Sequence, residues 1–444
     1  MHRHMAVKLG VGLALWLVGG AVRAENTPLN AKLLDDGITL IECSVRDPRE
    51  NRGVFSKLDG GSSNPTKSTK TDGYHYNLYL PKGYSANTNQ YYPCLFISSP
   101  GGKAGLGAAA SRLKRDEWIV VMLQESRNGS PDWLRNFLAA HDDAVERVRI
   151  ARGAKFATGM SGGARCTSIN ATMRPGFAGI LCQAAGFAYE LVPDIDIYQR
   201  FPRHILVAAT FGDSDMNLYE SQEFLRDLKQ CRVHVDFFKG GHGWCPAEHF
   251  ETALDWLEEA LFVDAARPRK GGSAASAPTK TAMPKGAGRL GKPDVLDEEA
   301  YGWYYRKCKR QLAEATGKLA RVLELERLLA AINRGALGKD KTIAGEAKAW
   351  QTELNTLYAS SEYKEFDTTA RKAFLEAQKA EKVFLDAMRQ GKAEFKKMKF
   401  SSAERAALQR TIKAYGVVAE KYPDSPLAAE AKHIVAALEL EAAK

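Results

Sequence analysis

Three residues of this sequence have the types and settings that nucleophilic acyl chemistry requires: Ser161, Asp215 and His242. Ser161 stands in Gly159-Met160-Ser161-Gly162-Gly163, a Gly-x-Ser-x-Gly pattern between a small apolar run and a helical one. A serine hydroxyl attacks a carbonyl once a base takes its proton, and imidazole, with a pKa of about 6.5, suits that task near neutral pH. His242 lies in Gly240-Gly241-His242-Gly243-Trp244. A carboxylate to orient it is offered by Gly212-Asp213-Ser214-Asp215, where Asp213 competes with Asp215. Gly101 and Gly102, within Ser99-Pro100-Gly101-Gly102, and Gly162 are small residues whose N–H groups can face a developing oxyanion. Arg165, Trp133 and Trp244 are candidate substrate contacts, with an ion pair the competing use of Arg165 and loop packing that of Trp244.

These groups meet only if the chain around them folds as alternating strands and helices. Residues 37–45 and 74–81 alternate like half-buried strands, and 93–99 and 118–123 are continuous apolar runs suited to buried ones. An amphipathic helix is expected over 132–148, then a strand ending at Phe156, the sharp turn at Ser161, and a helix stopped by Pro175-Gly176. Further strands are expected at 179–186, 204–211 and 233–238, and helices at 219–230 and 247–262. The pattern implies an α/β class with a doubly wound, mostly parallel sheet. Ser161, Asp215 and His242 each fall just past the C-terminal end of a strand, where such sheets hold ligands.

Residues 1–24 read as a cleavable export leader: Arg3 and Lys8, an apolar run from Leu9, then Val22-Arg23-Ala24. The run is short for a membrane span, and no second one follows. The expected location is therefore secreted or periplasmic, without a transmembrane segment. Seven cysteines (43, 94, 166, 182, 231, 245 and 308) leave at least one unpaired in the chain. Cys231 and Cys245 are the candidate disulfide, whereas Cys94 and Cys182 sit in apolar runs that suit buried thiols. No Cys/His spacing resembles a metal site, and neither a metal nor a cofactor is expected. The net charge of +10 comes from the leader and from seven basic residues without an acid in 267–293. That Gly/Ala/Ser/Pro-rich stretch reads as a linker kept extended by self-repulsion, or one drawn to an anionic envelope polymer. The remainder is near neutral, so nucleic acid is not an expected partner.

With these motifs in view, the chain resembles the α/β-hydrolase superfamily in its order of nucleophile, acid and histidine. Leu78-Tyr79-Leu80-Pro81-Lys82-Gly83-Tyr84, the Pro100-Gly101-Gly102 turn and Gly240-Gly241-His242-Gly243-Trp244 resemble one branch. That branch comprises secreted polyhydroxybutyrate depolymerase-like and feruloyl/acetylxylan esterase-like enzymes, and the resemblance spans about residues 35–263. It implies a Ser161–His242–Asp215 triad, selecting Asp215 through the Gly-x-x-Asp spacing. Asp213 is then left to face solvent or cap a helix, and His249 to be a surface residue. It also implies an oxyanion hole at Gly101, Gly102 and Gly162, and an ester substrate, polymeric or small. The sequence departs from the branch in having Ser99-Pro100 where a histidine is commoner before the glycines. A peptidase using the same triad and an inactive scaffold of the same fold are the alternatives.

From Asp294 the pattern becomes helical throughout, with a long helix over 298–331 and others over 342–358, 365–389 and 403–421. Residues 415–431 resemble a tetratricopeptide-type turn, and an irregular bundle is the competing reading. The domains expected are therefore 1–24 leader, 25–265 catalytic α/β domain, 266–293 linker and 294–444 separate all-α domain. The last is expected to meet a protein or envelope partner.

Overall fold

The apolar runs at 93–99 and 118–123 become neighbouring strands with every residue buried, β4 (Tyr92–Ser98) and β6 (Ile119–Leu123). Around them the computed structural model places β1 (Ala31–Leu33), β2 (Ile38–Cys43), β3 (Tyr74–Tyr79), β8 (Ile150–Met160), β9 (Phe177–Gln183), β10 (Leu206–Gly212) and β11 (Val233–Phe238). The sheet order is β1-β2-β3-β6-β4-β8-β9-β10-β11. Pairing is antiparallel from β1 to β6 and parallel from β6 to β11. A separate ribbon joins β5 (Gly101–Gly102) to β7 (Ser126–Arg127). The structure describes residues 31–33, 37–45, 72–85, 89–130, 132–188, 197–263, 298–391 and 399–443. The expected leader over 1–24, the loop at 60–65 and the linker over 266–293 lie outside these residues.

The period-two pattern of each strand divides its side chains between two cores. Tyr92, Cys94 and Phe96 face one core with α2 (Trp133–Arg147) and α3 (Gly162–Met173). Leu95 and Ile97 face the other with α1 (Ala110–Arg115) and α6 (Ala247–Phe262). Between β9 and β11 lie α4 (Ile197–Arg200) and α5 (Ser221–Arg226). Helix α5 is shorter than expected, because a 3₁₀ turn at Leu218–Glu220 precedes it and the chain leaves the helix at Asp227.

The C-terminal segment is helical throughout: α7 (Glu298–Glu314), α8 (Lys318–Arg334), α9 (Lys341–Ala359), α10 (Ser361–Phe366), α11 (Lys372–Met388), α12 (Ser402–Lys421) and α13 (Ala428–Ala442). The single helix expected over 298–331 is broken at Gly317, whose φ of 84° continues no right-handed helix. A π-helical turn, Asp367–Arg371, joins α10 to α11. Ser401 and Glu404 form a reciprocal capping box that starts α12.

This segment shares buried contacts with the sheet domain. Trp303 of α7 donates its indole N–H to Asp116 O at 2.8 Å and meets Trp118 edge-on. Lys307 enters a buried charge cluster with Glu258, Asp116 and Arg112. At the other end, α5 holds α12 and α13 through Arg226 with Glu404 and Gln222 with Glu441.

The expected disulfide is absent. Cys231 belongs to one core and Cys245 to the other, so the sheet separates them. All seven cysteines are buried free thiols. Burial pushes Cys166, Cys231, Cys245 and Cys308 up to about 12, which keeps them protonated and unreactive. Among the described residues no helix is long and apolar enough to cross a membrane.

Candidate active site

Ser161 occupies the sharp turn between β8 and α3 with φ 54° and ψ −121°, a conformation that side chains seldom adopt. The glycines two residues to either side make the turn possible. A Cβ at Gly159 would lie 2.4 Å from Gly163 C, and one at Gly163 would lie 2.4 Å from Ser98 O. The backbones of β4, β8 and α3 thus pack where any larger residue would collide. Ser161 N–H donates to Gln183 O at 2.8 Å, tying the turn to the end of β9.

The loops after β10 and β11 bring the other two residues to this turn. His242 Nε2 lies 2.9 Å from Ser161 Oγ, and Nδ1 lies 2.8 Å from Asp215 Oδ1. A carboxylate only accepts, so Nδ1 carries the proton and Nε2 is the free base facing the hydroxyl. Asp215 Oδ1 also accepts from Asn217 N–H at 2.8 Å, and its side chain is fully buried. His242 keeps partial exposure, whereas the acid beside it has none.

Backbone contacts hold the two loops in register. Ser214 N–H donates to Gly240 O at 2.8 Å, and Asp213 N–H donates to Phe238 O at 2.8 Å. Asp213 therefore neither caps a helix nor simply faces solvent: its Oδ1 accepts Gly240 N–H at 2.9 Å and pins the histidine loop. Gly212 fits against the same loop, since a Cβ there would lie 2.4 Å from Gly240 O. Gln183 adds a brace through Cys245 N–H at 3.1 Å.

The expected oxyanion donors separate. Gly162 opens α3, the position where an N–H beside the nucleophile is free of helical bonding. Gly102 is buried and its N–H donates to Ser99 O at 2.9 Å, so it is not a donor to substrate. Gly101 is exposed and remains the donor candidate of that turn. Asn128, in the loop after β7, lies over Gly162, and its N–H donates to Pro100 O at 2.9 Å.

Two expected substrate contacts are used otherwise. Arg165 Nη2 bonds buried Glu220 Oε1 at 2.6 Å and Nη1 bonds Phe187 O at 3.2 Å, the structural ion-pair role. Trp133 is buried in the core beneath α2, because its indole is the first apolar position of that helix. Trp244, two residues after His242, is 42% exposed, and Met216, the residue after Asp215, is 72% exposed. His249 is not a surface residue. It bonds Asp236, which the sequence offered no motif to reveal.

Behind Ser161, residues 184–188 are fixed by acids on and beside α5. Tyr198 OH donates to Glu223 at 2.6 Å and accepts Phe187 N–H at 2.9 Å, while Glu220 accepts Gly186 N–H. Burial, reinforced by nearby Glu220, pushes the Glu223 carboxyl up to about 7, against the lowering effect of the Tyr198 bond.

No protein-family model matches the sequence, and no curated protein aligns with it. Among solved structures, a ferulic acid esterase is 14% identical, covering 51% of this chain and 96% of its own, with a TM-score of 0.34. S-formylglutathione hydrolase of Staphylococcus aureus is 11% identical, covering 52% and 99%, with a TM-score of 0.35. Acylaminoacyl peptidase of Pyrococcus horikoshii is 16% identical, covering 51% and 48%, with a TM-score of 0.34. The strand order and the elbow of this chain, not these scores, establish its fold. Leaving aside β1 and the β5–β7 ribbon, the third and fourth strands of the chain exchange places in the sheet, and the order of Ser, Asp and His follows. The chain adopts the α/β-hydrolase fold, and hydrogen bonds join Ser161, His242 and Asp215 at the sharp turn between β8 and α3.

Proposed function

We propose that the protein is a serine hydrolase that cleaves carboxylic esters through an acyl-enzyme. The observation that carries this reading is the continuous relay Asp215–His242–Ser161, at 2.8 and 2.9 Å, ending on a strained serine. Ser161 Oγ attacks the acyl carbonyl as its proton passes to His242 Nε2. Asp215 holds the imidazole and stabilises the imidazolium. The imidazolium then protonates the leaving alkoxide, and a water activated by His242 releases the acid. Gly162 and Gly101 N–H groups receive the oxyanion, each such donor contributing about 3–4 kcal/mol in comparable sites.

Trp244 and Met216, exposed and adjoining His242 and Asp215 in the chain, support an apolar approach to the site, which would suit acyl, aromatic or polymeric esters. We place the substrate among polysaccharide acyl or feruloyl esters and polyhydroxyalkanoate-type esters, following the branch resemblance. Export through the leader and a partner-binding or envelope-binding role of the helical segment belong to the same proposal. The test is hydrolysis of p-nitrophenyl esters of increasing acyl length beside matched anilides. Ester turnover that falls at least a hundredfold in His242→Ala is expected. Turnover of anilides alone moves the assignment to a peptidase.

A further inference from the structure

Away from the serine, three side chains from three elements converge on one point. Asp236 on β11, His249 on α6 and His433 on α13 present one ligand atom each, and these lie within 4.8 Å of one another. Asp236 is buried and both histidines are half-buried. Asp236 Oδ2 bonds His249 Nδ1 at 2.7 Å and His433 Nε2 at 3.0 Å. The two imidazole rings stand 4.7 Å apart. We propose that Asp236, His249 and His433 form a site for a divalent transition-metal ion of the zinc class, clamping the helical segment to the histidine loop.

The donor set decides the class of ion. Two imidazoles and one carboxylate suit zinc, cobalt or nickel, whereas calcium and magnesium prefer oxygen alone. An ion about 2.0–2.2 Å from each donor separates them by roughly 3.3 Å, within the spread present here. Binding requires the ring nitrogen that faces the ion to be free of its proton, with the other ring nitrogen of each imidazole left as the donor. For His249 that nitrogen is Nε2, which already lies 3.6 Å from Glu248 Oε1. Asp236 Oδ1 accepts Phe237 N–H at 2.9 Å, which fixes the carboxylate with Oδ2 toward the histidines. Such outer partners are what orient metal ligands. The Phe238 ring packs against His249, giving the site an apolar wall. Three protein ligands leave a fourth position for water.

The placement gives the ion a purpose. Asp236 and His249 bracket residues 239–246, the loop that carries His242, and His433 belongs to the last helix. An ion there fastens both ends of that loop and joins them to the C-terminal segment. The proposal is independent of which ester, or whether any ester, is cleaved.

The full chain, dialysed against chelator, is titrated with Co²⁺ while visible absorption is followed, and then with Zn²⁺ in competition. The expected result is intense d–d absorption saturating at one equivalent, displaced by Zn²⁺, and absent in His249→Ala and His433→Ala. Zn²⁺ in hundredfold excess over Kd is expected to raise Tm by about 3 °C in the wild type and not in these variants. His433→Cys keeps the stoichiometry and adds a thiolate-to-cobalt band, which tests the assignment even where an alanine variant fails to fold. A folded wild type that binds no Co²⁺, binding that survives both alanine substitutions, or His433→Cys without the new band overturns the proposal.

Discussion

Asn128 lies so close over Gly162 that a Cβ built on the glycine would come within 1.6 Å of Asn128 Oδ1. The residue that follows Ser161 is therefore confined by a side chain from a different loop. Gly162→Ala is expected to expel the carboxamide, disturb the oxyanion donor and lower kcat by about 10²–10³-fold. Adding Asn128→Gly restores much of that loss by removing the obstacle. A double variant no better than Gly162→Ala contradicts the steric explanation.

Gly212 acts on the histidine from the acid side. A methyl group there meets Gly240 O and pushes the loop carrying His242 away from Ser161. Gly212→Ala is expected to lower kcat by roughly a hundredfold, since a displacement near 1 Å is enough. KM for a p-nitrophenyl ester changes little. An unchanged kcat in a folded variant contradicts this account of the loop.

The helical segment is fastened through buried charge. Lys307 and Glu258 are 3% and 2% exposed and bonded to each other, with Arg112 beside them. Lys307→Met leaves Glu258 short of a cation and is expected to cost about 3–5 kcal/mol in denaturant unfolding. Adding Glu258→Gln recovers part of this. A loss below about 1 kcal/mol places the pair outside the stable core.

Glu223 gives stability a pH dependence of definite sign. Its folded-state value of about 7 lies above the ordinary 4.5, chiefly through burial. Its contribution is therefore full below pH 4.5 and is lost as pH rises through 7. Glu223→Gln, which still accepts the Tyr198 hydroxyl, should flatten this fall by roughly 1–3 kcal/mol between pH 5 and 8. Parallel wild-type and variant stability curves across that range contradict the assignment.

Much of the fold was legible because local pattern and tertiary use coincide. The continuous apolar runs of β4 and β6 and the Gly-x-Ser-x-Gly turn can be satisfied in few ways, and the structure uses those. The relay was readable for the same reason: three short loops each follow a strand end in the chain order of one fold. What escaped reading depends on distant partners. Gly102 looks like Gly101 in sequence, and only the turn bond to Ser99 separates their roles. Arg165 lies four residues after Ser161 and Trp133 follows a loop at a strand end, yet Glu220 takes the first and the core the second. The Asp236–His249–His433 group spans nearly half the chain, so no spacing rule reaches it. Gly317, inside an otherwise helical pattern, was the one local signal that the long helix over 298–331 must break.

The central claim is that Ser161 is an activated nucleophile. A fluorophosphonate probe, followed by intact-mass measurement and peptide mapping, tests it directly on the full chain. The wild type is expected to gain one probe adduct on the peptide containing Ser161, and Ser161→Ala none. A folded wild type that stays unlabelled, or an adduct that persists in Ser161→Ala, contradicts the account.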